Sequence, residues 1–95
     1  MWGDFLNKTF KALSDPTRRE ILKLLSEHDL SANEIVSHFN MSQPSISKHL
    51  EILKQAELVT AEKKGQFVIY SINLSVLQSV LGSFLQLFEK GKEEK

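Results

Sequence analysis

The chain has 95 residues, 41% hydrophobic and 25% charged, which is enough for one soluble domain and too little for a second core. Its 12 cations balance 12 acids, so any affinity for a polyanion must come from where the charges sit. The absence of cysteine excludes disulfides, thiolate metal sites and thiol redox chemistry.

No run approaches the ~18 apolar residues of a membrane span. The acid-bearing start MWGDFLNKTFKAL lacks the apolar core of a signal peptide, so a cytoplasmic protein without membrane insertion is expected. A domain of this size buries only a little over ~60% of its unfolded surface, and an interface with a second chain would add to that substantially.

In chain order, the apolar spacing predicts a first helix over Asp4 to Leu13, with Trp2 just ahead of it and Phe5, Leu6, Phe10 and Leu13 on one face. The segment SDPTRREILKLLSEHD starts a second helix, with Asp15 as N-cap and Pro16 at the first helical position, where its missing N–H costs nothing. Ile21, Leu22, Leu24 and Leu25 form its buried face.

Ser31 followed by Glu34 is a capping box for a short third helix carrying Ile35, Val36 and Phe39. After a tight connection at Asn40 to Ser42, a fourth helix starts at Gln43 and Pro44 with Ser42 as its cap. At about 100° per residue, Ile46, Leu50 and Leu53 share one side while Pro44, Lys48, Glu51 and Gln55 lie opposite. Short helix, tight turn and amphipathic helix, over about residues 31–56, are helix-turn-helix grammar.

The segment LVTAEKKGQFVIYSIN, about residues 58–72, has the β-branched and aromatic content of a hairpin turning at Lys63-Lys64-Gly65-Gln66. Asn73 caps a last helix to about Lys90, and the charged tail EKGKEEK frays beyond it. Leu74, Val76, Leu77, Val80, Leu81, Phe84, Leu85, Leu87 and Phe88 cover about half of that helix's circumference, wider than the ~100° stripe that one domain buries. The surplus predicts packing on another chain.

The expected architecture is therefore mainly α (α+β), a single winged helix-turn-helix domain over 1–95 with five helices and a β-hairpin wing. The segments KALSDPTRREILKLL, SANEIVSHFNMSQPSISKHLEILKQAELV and KKGQFVIYSIN, in this order, resemble the ArsR-type bacterial transcriptional repressors from about Phe5 to Phe88. The lack of metal ligands makes the chain most similar to the metal-blind Sdp-type autorepressor branch. The resemblance implies a symmetric dimer built from the first and last helices, with each fourth helix in a DNA major groove and each wing beside the backbone. Trp2, Phe5, Leu6, Phe10, Leu77, Val80, Leu81, Phe84 and Phe88 are the residues expected at that dimer interface.

The start of the fourth helix carries the expected DNA contacts. An ordinary surface helix favours acids in its first turn, yet Ser42, Gln43, Ser45, Ser47 and Lys48 precede the first acid, Glu51. Gln pairs bidentately with adenine, Ser serves base or phosphate, and Lys contacts guanine or phosphate. Lys63 and Lys64 at the hairpin tip suit phosphate contact, which lends affinity without sequence information.

Pro44 sets the helix start, and His49, near Ile46 and Leu53 on the wheel, is expected in a partly buried, hydrogen-bonded role. Arg18 and Arg19 are expected in structural hydrogen bonds or ion pairs with Asp15, Glu20 or their neighbours, Val68 and Tyr70 in wing packing, and Glu34 with His38 as an exposed ion pair.

Many ArsR-type repressors sense metals through cysteines on the first or third helix, or through Asp and His on the last. Here the third helix has no Cys, and Asn73 to Phe88 contains no Asp, Glu or His, so neither arrangement has its ligands and no cofactor is expected. Release from DNA would then fall to an effector between the terminal helices or to a sequestering protein, and the residues select neither.

The function expected is a dimeric, sequence-specific repressor, of its own promoter in the Sdp-type pattern, that reads an inverted-repeat double-stranded operator. A winged-helix module that binds protein instead of DNA is the alternative, and acids within 42–48 would favour it; there are none. No nucleophile, His and acid combination forms a recognisable enzyme motif.

Overall fold

The computed structural model describes the backbone of residues 2–93 and the side chains of residues 3–89. Helix α1 spans Trp2–Leu13, α2 Pro16–Glu27, α3 Ala32–Val36, α4 Gln43–Gln55 and α5 Leu74–Glu93; strands are β1 Leu30–Ser31, β2 Val59–Lys64 and β3 Phe67–Ile72. This is the winged helix-turn-helix order, five helices with a hairpin wing. The first helix begins two residues before its expected start, and the last runs three past Lys90 through the segment expected to fray.

Local chemistry sets the helix starts. The Asp15 carboxylate accepts the backbone N–H of Thr17 at 2.8 Å and of Arg18 at 3.2 Å, with Pro16 next to it. The Ser31 and Glu34 capping box is complete: Glu34 N–H donates to Ser31 Oγ at 3.2 Å, and Ser31 N–H donates to Glu34 Oε1 at 2.8 Å. Asn73 accepts the Leu77 N–H through its carbonyl at 3.4 Å, as the residue opening a helix does.

The end of α4 closes differently. Glu57 takes a left-handed conformation, φ 62°, without being Gly. Its N–H donates to the Lys54 carbonyl at 2.9 Å, and Leu58 N–H reaches back to Leu53 at 3.0 Å. That pair of bonds is a Schellman closure, and it turns Leu58, 1% exposed, into the core.

The sheet is antiparallel in the order β1-β3-β2. Gly65, φ +62°, is the first of two loop residues between the paired Lys64 and Phe67, a position where Gly supplies positive φ without steric cost. Strand β1 was not expected. It pairs Leu30 with Tyr70 and Ser31 with Ile69, so the wing is anchored to the loop that opens the helix-turn-helix.

The core joins Ile21, Leu22 and Leu25 of α2 to Ile35 of α3 and Ile46, Leu50 and Leu53 of α4. Tyr70 and Ile72 of β3 pack against it, so Tyr70 serves the core as well as the wing. Burial pushes the Tyr70 phenol pKa up, and the Glu51 charge adds to this, keeping the hydroxyl protonated.

Asp15 yields a stability prediction. Partial burial pushes its carboxyl upward, but the backbone N–H groups of Arg18 and Thr17 and the charges of His49 and Arg18 outweigh this and hold its pKa below the usual carboxylate value. A depressed folded pKa means the stabilisation is complete above the unfolded carboxylate range and is lost as pH falls through the folded value. Asp15→Ala is expected to cost about 1 kcal/mol near neutrality and to flatten the acid limb of a plot of Tm against pH. An unchanged acid limb would show that the cap is energetically idle.

Candidate nucleic-acid interface

The first turn of α4 is open to solvent. Ser42, Gln43, Pro44, Ser45, Ser47 and Lys48 are all exposed, and the turn holds no acid. Ser42 Oγ accepts the Ser45 N–H at 3.3 Å and donates to Ser45 Oγ at 3.0 Å, which ties these two hydroxyls into the cap. The side chains of Gln43, Ser47 and Lys48 make no hydrogen bond among the described residues and are available to a ligand. Ile46, Leu50 and Leu53, 2% exposed or less, seat the opposite side of the helix rigidly in the core.

Arg18 fixes α4 from behind. Only 8% exposed, its guanidinium donates through Nε to the Ala12 carbonyl at 2.7 Å and through Nη2 to the Lys11 carbonyl at 3.0 Å. Its Nη1 lies 3.2 Å from His49 Nδ1, which accepts when the imidazole carries its proton on Nε2. One side chain thus joins the carbonyl end of α1, helix α2 and the back of α4. His49 is part-buried and hydrogen-bonded, with Asp15 Oδ1 4.0 Å from its Nδ1.

Arg19 donates through Nη1 to the Leu13 carbonyl at 2.7 Å. Both arginine side chains therefore serve backbone carbonyls at the end of α1 as structural groups, and only the backbone N–H groups of these residues bond Asp15.

Three expectations need correction. Helix α3 ends at Val36, so His38 lies in the following turn, and Glu34 is spent on the capping box instead of an ion pair with it. Val68, 38% exposed, sits toward the hairpin tip instead of packing in the wing. Val80 is fully enclosed by its own chain, 0% exposed, because its side of α5 is the one the protomer covers; it offers no surface to a partner.

The wing tip carries Lys63 and Lys64, both exposed, with Lys64 Nζ 4.0 Å from Glu62 on the same strand. Phe67, 54% exposed, stands opposite Lys64 in the ladder and was not singled out from the sequence.

Helix α5 meets α1 through Phe10 and Phe84, whose rings lie edge to face at 5.2 Å, and Phe84 meets Phe88 in the same way at 5.4 Å. Phe5, Leu6, Phe10 and Leu77 are part-buried, whereas Leu81 is 44% and Phe88 64% exposed. Leu74 and Leu85, 49% and 56% exposed, extend the same stripe at about 100° per residue, and sequence reasoning left them out of the interface. The side chain of Trp2 lies outside the described residues.

The radius of gyration, 15.4 Å, exceeds the ~12 Å of a compact chain this long, and the long axis reaches 55 Å. No described helix is long and apolar enough to cross a membrane.

A family profile described as bacterial regulatory protein, arsR family, matches residues 15–61, from the α2 cap into β2. The transcriptional repressor SdpR of Bacillus subtilis is 52% identical over 89 residues, covering 94% of this chain and 99% of that one. The chain belongs to the arsR family. It is a DNA-binding transcriptional repressor of the winged helix-turn-helix type, and its homologues are regulators, not enzymes.

Similarity extends to the arsenical resistance operon repressor of Staphylococcus xylosus, 43% identical over 75 residues, covering 79% of this chain and 72% of that one. Among solved structures, an ArsR-like transcriptional regulator from Rhodococcus superposes with a TM-score of 0.87 at 30% identity, covering 96% of this chain and 86% of that one. A homodimeric winged helix-turn-helix DNA-binding domain from Mycobacterium bovis superposes with a TM-score of 0.74 at 25% identity, covering 95% of this chain and 84% of that one. The family match spans α3, the turn after it and the whole of α4, including its exposed first turn.

Proposed function

We propose that this arsR-family repressor works in the cytoplasm as a homodimer, one winged helix-turn-helix unit of residues 1–95 per protomer, that reads an inverted-repeat operator and responds to no metal. The observation that carries the reading is the exposed, acid-free first turn of α4, whose Gln43, Ser47 and Lys48 side chains have no partner within the described chain. Gln43 and Ser47 read base edges; Ser42, Ser45 and Lys48 hold phosphates or bases beside them; Lys63 and Lys64 add backbone affinity. Two such helices related by a two-fold axis address half-sites about 10–10.5 bp apart.

The dimer reading is supported by the exposed stripe Leu81, Phe88, Leu74 and Leu85 and by the homodimeric character of the Mycobacterium bovis neighbour. Phe5, Leu6, Phe10, Leu77, Phe84 and Trp2 complete the proposed interface. The metal-blind reading rests on the donor set: no cysteine anywhere, and no Asp, Glu or His from Asn73 to Phe88. The natural first operator to test is the protein's own promoter, since the 52% identical SdpR is itself a repressor.

Fluorescence anisotropy with the promoter segment and a scrambled duplex, at two salt concentrations, tests the reading. Preference for the promoter, falling with salt at a log–log slope of about −0.9 per phosphate neutralised, is the expected result. Gln43→Ala with Ser47→Ala is expected to lower promoter affinity by about tenfold or more, because a bidentate base pairing is worth about 1–3 kcal/mol, while scrambled-duplex binding stays the same. Lys63→Ala with Lys64→Ala should instead weaken both duplexes alike and flatten the salt slope by roughly 3–4 for a dimer. Equal, feeble binding of the unmodified protein to both duplexes would count for the protein-binding alternative.

A further inference from the structure

A pocket of about 250 Å³ opens between α1, α2 and the last turn of α4, lined by Lys8, Lys11, Arg18, Ile52, Gln55 and Ala56. Three of these six residues are cations and none is an acid. Lys8 and Lys11 are exposed at the rim, and Ile52 and Ala56 supply apolar wall.

Arg18 is the unusual member. It is more than nine-tenths buried, yet its side chain hydrogen-bonds two backbone carbonyls and the His49 imidazole and no carboxylate, the Asp15 charge reaching the guanidinium only through space. No carboxylate of the described residues lies within 4.0 Å of its guanidinium. Those three bonds use Nε–H and one N–H on each terminal nitrogen, so two of the five guanidinium N–H groups remain unused. A desolvated cation with spare donors beside a pocket is where an anion gains most, because the charge cost of burial is already met and the attraction is weakly screened.

We propose that this pocket is a binding site for a small organic carboxylate, with Arg18 as its buried anchor, Lys8 and Lys11 as its cationic rim, and Ile52 and Ala56 against its apolar body. The pocket lies just below the ~300 Å³ at which drug-sized ligand sites begin, which limits the ligand to a few carbons or one ring. Because the walls include the final turn of α4, an occupant touches the helix whose other end faces solvent with Gln43 and Ser47. At about 100° per residue, Lys8 and Lys11 lie across α1 from Leu6 and Phe10, the side on which Phe10 meets α5, while Lys8 is one turn from Phe5. The site is independent of the operator reading, and binding is measured without DNA.

The test is a ¹H–¹⁵N NMR titration of the full chain at low ionic strength with benzoate, its neutral counterpart benzamide, and inorganic phosphate. Benzoate is expected to shift the Arg18 Nε–H and the Gln55 and Ala56 amides saturably, with benzamide at least about tenfold weaker. Lys8→Ala with Lys11→Ala, both at exposed positions, should weaken benzoate about tenfold while leaving the amides of Phe10 and Phe84 in place. Shifts that stay linear or scatter over all surface lysines would overturn the site. Benzamide binding as well as benzoate would remove the anionic anchor, and phosphate binding as well as benzoate would remove the organic carboxylate.

Discussion

Arg18→Ala is expected to lower the stability of the repressor by about 3 kcal/mol, since hydrogen bonds from a charged donor are worth about 1.5–3 kcal/mol each. The Ala12 carbonyl at the end of α1 and His49 Nδ1 on α4 lose the guanidinium, and so does the Lys11 carbonyl, which keeps the Ser14 N–H at 3.2 Å and the Ser14 hydroxyl at 2.7 Å. For a domain of this length, about 3 kcal/mol corresponds to a fall in Tm of roughly 12–24 °C. Arg18→Lys should recover only part of this, because an ammonium has no planar fork to span three acceptors. Thermal melts of the two variants measure it, and a fall of less than about 4 °C for the alanine variant would mean that water replaces the guanidinium at little cost.

The second large effect concerns assembly. Leu81→Asp combined with Phe88→Asp should give a folded protein of monomeric mass by light scattering. The two residues are 44% and 64% exposed in the protomer, so their replacement spares its core. Burying two carboxylates in an apolar interface carries a desolvation cost that the dimer cannot offset.

Promoter affinity should then fall by about 10²–10⁴, the gain that linking two half-site contacts supplies. Val80→Ala offers a contrast, because Val80 is enclosed by its own chain and its truncation acts on protomer stability rather than on mass. A double-aspartate variant that stays dimeric would move the interface away from the exposed α5 stripe.

These two experiments probe features at opposite levels of legibility. The helix starts could be read from Asp15-Pro16, from Ser31 with Glu34, and from Ser42 with Pro44, because a cap acts within three residues of itself. The buried side of α4 and a wing turn at Gly65 were equally local, a matter of wheel position and of one Gly at positive φ, although the turn was read as Lys63 to Gln66 while the strand runs on through Lys64. The acid-free first turn of α4 was visible for the same reason.

What depended on distant chain was not visible. Strand β1 is two residues long, too short for any alternation, and exists because β3, some forty residues later, pairs with it. The end of α4 at Glu57 is set by the burial of Leu58, since nothing in a Glu announces a left-handed turn. A structural bonding role for Arg18 was expected, but its burial and its acceptors at the end of α1 and the back of α4 depend on those segments closing around it.

The apolar half-circle of α5 divides the two kinds of knowledge most clearly. Its width already required more cover than one domain provides. Only the packing of Phe10 on Phe84 decided that Val80 faces inward while Leu81, Leu85 and Phe88 are left outside. Periodicity reports that a side chain must be buried; the direction from which the rest of the chain approaches decides which ones the protomer buries itself and which it leaves for a partner.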